Sequence, residues 1–257
     1  MSISLRVINY LICFLLIAPI FIVLIISFNG DPYLVFPPKV ISTYWYEKFF
    51  QDTRWKASLI NSLVIAFYAS VLAVTVGFLA AYSLVRGRFK RKKLLLSFVL
   101  IPLIIPNIIT AIALYYVSAP LNLIGSKPWI GVAHSVIAIP VVVLILLSVL
   151  QSIDVNIERA AYSLGASRFR TFIKVIFPMA APGIFSAALF SFLISFDELI
   201  IALFLSGISA ETLQVRIWNS LILDAEPIIG SVSGFLIIVT VLLLSLDAYF
   251  RNKRQKT

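Results

Sequence analysis

Two adjacent carboxylates, Asp197 and Glu198, lie inside the apolar stretch SFLISFDELIIALFLSG, which also contains Ser195. A charge at the centre of a membrane costs on the order of 3 kcal/mol or more, so such groups face a bundle interior or an aqueous path. Neighbouring side chains on a helix project about 100° apart. We therefore expect one carboxylate to line a path and the other to bond a neighbouring helix, and the sequence leaves open which does which.

The single histidine, His134, excludes most Ser-His and Cys-His schemes of nucleophilic catalysis. We expect it to form a hydrogen bond between neighbouring helices, with a substrate or proton-linked role as the alternative. The sequence contains no G-x-x-x-x-G-K-[ST] loop for phosphates and no Cys/His/Asp cluster with metal-ligand spacing. These absences predict that the chain is not an enzyme, holds no metal and binds no cofactor itself.

The elements that position these residues are predicted to be membrane helices. Of the 257 residues, 61% are hydrophobic and only 12% are charged, whereas soluble domains average about 25% charged residues. The apolar runs are long and do not alternate with polar residues, which favours helices over a barrel. We predict an all-α integral membrane protein with one transmembrane domain over 1–257 and six spans, at about 7–28, 58–85, 94–118, 130–150, 181–205 and 229–250.

The basic residues indicate the orientation of these spans. They occur in short blocks between apolar runs, which is typical of membrane topology and not of nucleic-acid binding. Of the 21 Lys and Arg residues, 15 fall in the two termini, in 86–93 and in the segment 151–180. Because basic loops stay in the cytoplasm, we predict that both termini and these two segments are cytoplasmic.

The segment 151–180 is polar for a chain of this kind and predicts two short helices that meet at a glycine. Ile157, Ala160, Ala161 and Leu164 recur at helical spacing on one face. Gly165 then suits the left-handed residue that ends many helices, and Ser167 suits the cap of a second helix. This pattern leaves two alternatives open: a hairpin on the inner leaflet, or a projection that fits a cleft on a soluble partner.

The outer loop 29–57 is rich in aromatic residues. We expect Tyr44, Trp45, Tyr46, Phe49 and Phe50 to lie on a helix at the level of the lipid headgroups. A docking surface for an external partner is the alternative.

The stretch ERAAYSLGASRFRTFIKVIFPMAAPGI resembles the EAA loop of ABC importer permeases. Ala160 and Ala161 precede Gly165 by the spacing of that motif, and Ile176 and Pro178 stand at its distal end. Arg159 occupies the slot of the motif's Glu, although Glu158 precedes it, and Phe177 stands where Leu is usual. The six-span layout resembles type I permeases of the same family over nearly the whole chain.

This resemblance implies a coupling helix that lodges in a groove of an ATP-hydrolysing subunit. The residues it assigns to the coupling loop are Glu158, Arg159, Ala160, Ala161, Leu164, Gly165, Ala166 and Ser167. It implies as partners two ATPase subunits that bind ATP and Mg, a second permease, expected to form a heterodimer with this chain, and an extracytoplasmic solute-binding protein. The location implied is the inner membrane of a bacterium.

SFDELIIALFLSG, together with TLQVRIWNSL at 212–221, resembles the spermidine/putrescine branch of these permeases, which also handles opines, phosphonates and iron complexes. The resemblance implies a substrate pathway near Asp197, Glu198, Ser195 and Asn107, although relatives often carry an acidic residue where Asn107 stands. A carboxylate suits a cationic polyamine by simple attraction. Two alternatives stay open: a carrier or channel driven by an ion gradient through Asp197, Glu198 and His134, and a scaffold without transport.

Overall fold

The computed structural model describes residues 3–33, 35–88, 90–223 and 226–255, and these residues form a helical protein. The helices are α1 Ile3–Ser27, α2 Tyr44–Gln51, α3 Thr53–Arg86, α4 Lys92–Leu100, α5 Asn107–Ser118, α6 Lys127–Ser152, α7 Val155–Ser163, α8 Arg168–Thr171, α9 Phe177–Phe196, α10 Ile200–Leu205, α11 Leu213–Leu223 and α12 Ile228–Gln255. A 3₁₀ turn at Ile101–Leu103 follows α4, and a π-helical turn at Phe172–Ile176 joins α8 to α9.

Four stretches of the described chain are long and apolar enough to cross a membrane in a single helix. They are Val7–Ser27 in α1, Thr53–Arg86 in α3, Lys127–Ser152 in α6 and the run Arg168–Phe196 through α8, the π turn and α9. A bent pair, Lys92–Leu103 with Asn107–Ser118, covers the predicted third span. The predicted sixth span falls on α12, and the apolar stretch Ile228–Leu242 of that helix lies within the described residues.

The third predicted span is bent by 91° between its two halves. Pro102 lies in the 3₁₀ turn and Pro106 immediately precedes α5. Because proline lacks a backbone N–H and disfavours helical geometry in the preceding residue, the helix stops before this pair and restarts after it. A bend at this point is what prolines inside an apolar span predict.

The fifth predicted span, 181–205, differs from the observed helix at both ends. The helix begins at Arg168, passes Pro178 and stops at Phe196, and residues 197–199 separate it from α10. Pro178 does not interrupt the helix because the turn before it is wider. The Phe177 N–H donates to the carbonyl of Phe172, five residues back, so the chain enters the proline from a π turn.

The described chain packs as two compact units, and the single domain over 1–257 stays a prediction. The first unit comprises residues up to 57 together with 216–246. Its centre is the fully buried ring of Phe49, which contacts Trp55 and Phe235. The side chain of Phe49 therefore faces the interior of its own unit, and the position of this aromatic helix at the lipid headgroups stays a prediction.

The second unit comprises residues 58–215 and the chain from 247 onward. Its core forms where α6 packs against α3 and α9 at very short distances. A Cβ on Gly131 of α6 would lie 2.5 Å from the Cβ of Tyr68, and one on Gly77 of α3 would lie 2.5 Å from Val142. Small residues at such contacts let membrane helices approach closely, which supplies the dispersion contacts that hold a bundle together in lipid.

Replacing Gly131 with Ala tests this close contact. The new methyl meets the Cβ of Tyr68 and, at 3.2 Å, the backbone of Ile65, neither of which is a flexible side-chain end. We expect a loss of about 1–3 kcal/mol in stability, the usual cost of overpacking. The measurement is the melting temperature of the detergent-solubilised chain. Val132→Ala, at the exposed neighbouring position, is the control, and equal melting temperatures for the two variants would contradict the prediction.

Candidate functional site

The segment 154–171, which we call the elbow, contains α7, a glycine corner and α8. The side chain of Asp154 caps the start of α7 by accepting the N–H of Asn156 at 2.9 Å. This bond satisfies one of the backbone donors that every helix start leaves open. The N-terminal end of α7 is thus determined by one neighbouring acidic residue, Asp154.

Gly165 ends α7 in the left-handed conformation, with φ at +83°, as the sequence predicts. Its N–H donates to the carbonyl of Tyr162 at 3.0 Å, and the N–H of Ala166 donates to Ala161 at 3.0 Å. These two bonds form a Schellman motif, which closes the last carbonyls of a helix and turns the chain. Ser167 then caps α8 through its hydroxyl, which accepts the N–H of Arg170 at 3.3 Å. Both predicted features of the corner are confirmed.

The outer face of the elbow exposes large apolar side chains. Leu164 is 88% exposed and Phe169 is 74% exposed, one on each side of the corner. The other predicted coupling residues divide by burial: Arg159, Ala160, Gly165 and Ser167 are exposed, Ala161 and Ala166 are half-buried, and Glu158 is buried. An exposed apolar knob of this kind suits insertion into a groove on another protein.

Glu158 points away from this outer face. Its carboxylate accepts a hydrogen bond from Nε of Arg86, the last residue of α3, and the two side chains form a buried ion pair. The Nη2 group of Arg86 also donates to the carbonyl of Ile153 at 2.9 Å. Sequence reasoning missed Arg86, because it reads as one member of the basic block 86–93 and lies far along the chain from its partner.

A second polar group of the site lies where α9 ends and α10 begins. Glu198 is buried; one carboxylate oxygen accepts the N–H of Ile201 at 3.0 Å, and the other accepts from the Asn107 amide at 3.3 Å. The first bond satisfies a backbone N–H in the first turn of α10, and the second joins this break to the start of α5. Two interrupted helices therefore meet through one carboxylate and one amide, an arrangement typical of binding sites in membrane transporters.

Asp197, in contrast, is exposed at the same break. One of its carboxylate oxygens accepts from the side-chain amide of Gln214, at the start of α11, at 3.1 Å. The amide is neutral, so it orients the carboxylate without cancelling its charge. The C-terminal end of α9 adds the partial negative charge of its free carbonyls, which favours a cation at this point. Gln214 lies in the stretch TLQVRIWNSL, but its pairing with Asp197 joins residues 17 positions apart and does not follow from the sequence pattern.

His134 is fully buried between α6 and α9. Its Nδ1 lies 2.9 Å from the hydroxyl of Ser195 and 3.1 Å from the Ser195 carbonyl oxygen. The predicted interhelical hydrogen bond of His134 is therefore confirmed. Among the predicted pathway residues, the fold pairs Asn107 with Glu198 and Ser195 with His134, and leaves Asp197 exposed.

The C-terminal two thirds of the chain match a known protein family. Residues 73–256 match the family described as binding-protein-dependent transport system inner membrane component. The spermidine/putrescine transport system permease protein PotC of Haemophilus influenzae is 32% identical over 235 residues, 91% of each chain. The putrescine transport system permease protein PotI of Escherichia coli is 32% identical over 229 residues, 86% of this chain and 81% of its own.

Solved structures share the fold at lower sequence identity. A bacterial ABC transporter that imports the acidic polysaccharide alginate matches with a TM-score of 0.69 and 16% identity, over 98% of both chains. The alginate transporter in complex with an alginate pentasaccharide-bound periplasmic protein matches with a TM-score of 0.74 and 16% identity, over 99% of this chain and 95% of that one. These matches confirm the all-α, type I importer permease fold class.

The family match rules out both alternatives that the sequence left open. A carrier driven by an ion gradient and a scaffold without transport are not binding-protein-dependent transport components. In such systems ATP hydrolysis belongs to a separate subunit, in line with the expectation that this chain is not an enzyme. The chain belongs to the family of binding-protein-dependent transport system inner membrane components and is a permease subunit of an ABC importer.

Proposed function

We propose that this permease subunit imports a polyamine, such as spermidine or putrescine, past the exposed carboxylate of Asp197. The observation that carries the substrate class is this carboxylate, which is oriented by a neutral amide at the negative end of α9. A polyamine carries several ammonium groups, and a carboxylate that keeps its charge attracts them. The PotC and PotI relatives, which cover most of the chain, have names that specify the same class of substrate.

A sugar-like substrate is the competing candidate. The sulfoquinovosyl glycerol transport system permease protein SmoH of Agrobacterium fabrum is also 32% identical, but over 67% of this chain and 61% of its own. The polyamine relatives match over a larger share of the chain, and the negative charge of Asp197 attracts a cation but would repel a sulfonated sugar. Asn107 contributes less than Asp197 to binding a cation, because its side-chain amide donates a hydrogen bond to Glu198.

The proposed assembly contains this chain, a second and different permease, two ATPase subunits and an extracytoplasmic solute-binding protein. ATP and Mg are held by the ATPase subunits. A structural neighbour that binds a loaded periplasmic protein supports the last partner. The basic segments 86–93 and 151–180, together with the termini, face the cytoplasm by the positive-inside rule. The side chains of the C-terminal basic cluster and of Arg6 lie outside the described residues.

The elbow is proposed to be the contact with the ATPase. Leu164 and Phe169 form its apolar knob, and Arg159, Arg168 and Arg170 are exposed around it. Since Glu158 is paired internally with Arg86, the exposed charge of the elbow is net positive, with three arginines against the one carboxylate of Asp154. The complementary cleft therefore has an apolar floor and an acidic rim. ATP-driven closure of two such subunits then moves the two elbows and switches the pathway between its outward and inward states.

Replacing Asp197 with Asn tests the substrate. The amide keeps the size and the contact with Gln214 but removes the charge, so we expect spermidine uptake to fall about tenfold, equivalent to about 1.4 kcal/mol. The measurement is uptake of radiolabelled spermidine by proteoliposomes that contain the complete complex, loaded with its binding protein.

Asp197→Glu is the matched control, because it retains the carboxylate and should retain most of the uptake. Wild-type transport by Asp197→Asn would rule out the electrostatic role. Failure of the wild-type complex to take up spermidine or putrescine would rule out the polyamine.

Replacing Leu164 with Glu tests the elbow. This side chain is 88% exposed in the free chain, so the substitution leaves the fold intact but places a negative charge on the knob. We expect the ATPase to be lost during copurification from membranes, with a reduction of about tenfold or more in retained subunit, as for a buried interface residue that becomes charged.

Leu164→Met retains an apolar side chain and serves as the control. If Leu164→Glu retains the ATPase at the wild-type amount, the proposed docking role is wrong, and the hairpin on the inner leaflet is the alternative that fits.

A further inference from the structure

Arg86 joins two parts of the chain that are distant in sequence. It is the last residue of α3, and its partner Glu158 lies 72 positions later, in the first turn of α7. The same guanidinium donates to the carbonyl of Ile153, just before the cap of α7. Arginine suits this position because its planar fork bonds two acceptors at once, whereas lysine presents a single ammonium group.

A second contact joins α3 to the other side of the elbow. The ring of Phe172, the first residue of the π turn after α8, packs edge-on against Tyr82, with ring centroids 5.0 Å apart. It also contacts Phe78 at 5.6 Å. Edge-to-face pairs of this kind add about 0.5–1.5 kcal/mol beyond the area they bury. The end of α3 therefore holds the elbow both before and after its corner.

The length of α3 suits it to this position. Its 34 residues span about 51 Å at 1.5 Å per residue, whereas the hydrocarbon core of a bilayer is about 30 Å thick. The helix therefore has enough length to extend beyond the lipid and meet the elbow. The peptide chain connects the elbow directly to α6 and α9, whereas α3 contacts it through side chains, among them Arg86 and these aromatic rings.

We infer that Arg86 is a positioning residue that transmits displacement of the elbow to α3. This inference rests on the proposed docking of an ATPase at the elbow. When the elbow moves, the buried ion pair and the bond to Ile153 move the end of α3 with it, so that α3 follows the motor together with α6 and α9. Without Arg86 the elbow still presents Leu164 to the ATPase, but α3 loses its ion-pair link to α7 and follows the elbow less closely.

The test compares transport with ATP hydrolysis in the complete reconstituted complex. In Arg86→Gln we expect solute taken up per ATP hydrolysed to fall about tenfold, within the range of coupling between protein sites, while the ATPase copurifies at the wild-type amount. Glu158→Gln should give a similar fall. The double variant should be no worse than either single one, because the two side chains act as one unit.

Arg159→Gln is the matched control, since it removes a neighbouring exposed arginine. It should change retention of the ATPase and leave the ratio of uptake to hydrolysis unaltered. A wild-type ratio in Arg86→Gln overturns the inference. If that variant does not assemble, Arg86→Lys decides: a reduced ratio at wild-type ATPase content supports the inference and a wild-type ratio overturns it. Loss of the ATPase from the wild-type complex would instead overturn the proposed function.

Discussion

Backbone groups inside hydrocarbon must find hydrogen-bond partners within the protein, and this requirement determines where polar residues of this chain lie. The chain leaves the helix inside two apolar stretches, at 104–106 and at 197–199. At the second break, the freed N–H of Ile201 is accepted by the carboxylate of Glu198, which is bound in turn by Asn107. At the first, the N–H of Ile109 is accepted by the carbonyl of Pro106 at 2.9 Å. The breaks are tolerated because each has a local acceptor.

The backbone groups of the elbow also find hydrogen-bond partners within the protein. Gly165 has no Cβ, so it adopts the left-handed conformation without a steric clash. The two Schellman hydrogen bonds then satisfy the last carbonyls of α7. These local bonds define the shape of the elbow but do not attach it to the bundle. Attachment comes from Arg86, which brings a charge into a buried position where leaving Glu158 without its partner would cost several kcal/mol. A rigid corner held by a buried ion pair can move as one body, which a loosely attached loop cannot do.

Local patterns in the sequence were sufficient for the features that depend on neighbouring residues. The helical fold class, the left-handed Gly165, the cap by Ser167 and the kink at Pro102 and Pro106 all followed from periodicity and residue type. Features that join distant residues were not predictable in this way. The sequence of the block 86–93 does not distinguish Arg86 from its basic neighbours. The π turn before Pro178 does not change the spacing of the apolar residues, so the sequence does not predict it. Residue type alone does not distinguish Phe49 from its aromatic neighbours, and its burial follows from packing in the folded chain.

Three acidic residues that look alike in the sequence differ in the structure because they have different partners. Glu158 is neutralised by a guanidinium, and Glu198 accepts a backbone N–H and an amide, so both are committed to holding elements together. Asp197 has an amide partner that leaves its charge in place. Because Glu158 faces inward, the outer face of the elbow carries a net positive charge. The fold therefore separates charge by function: a negative group at the helix break, where a cationic solute is proposed to pass, and a positive rim on the elbow, where a motor protein is proposed to bind.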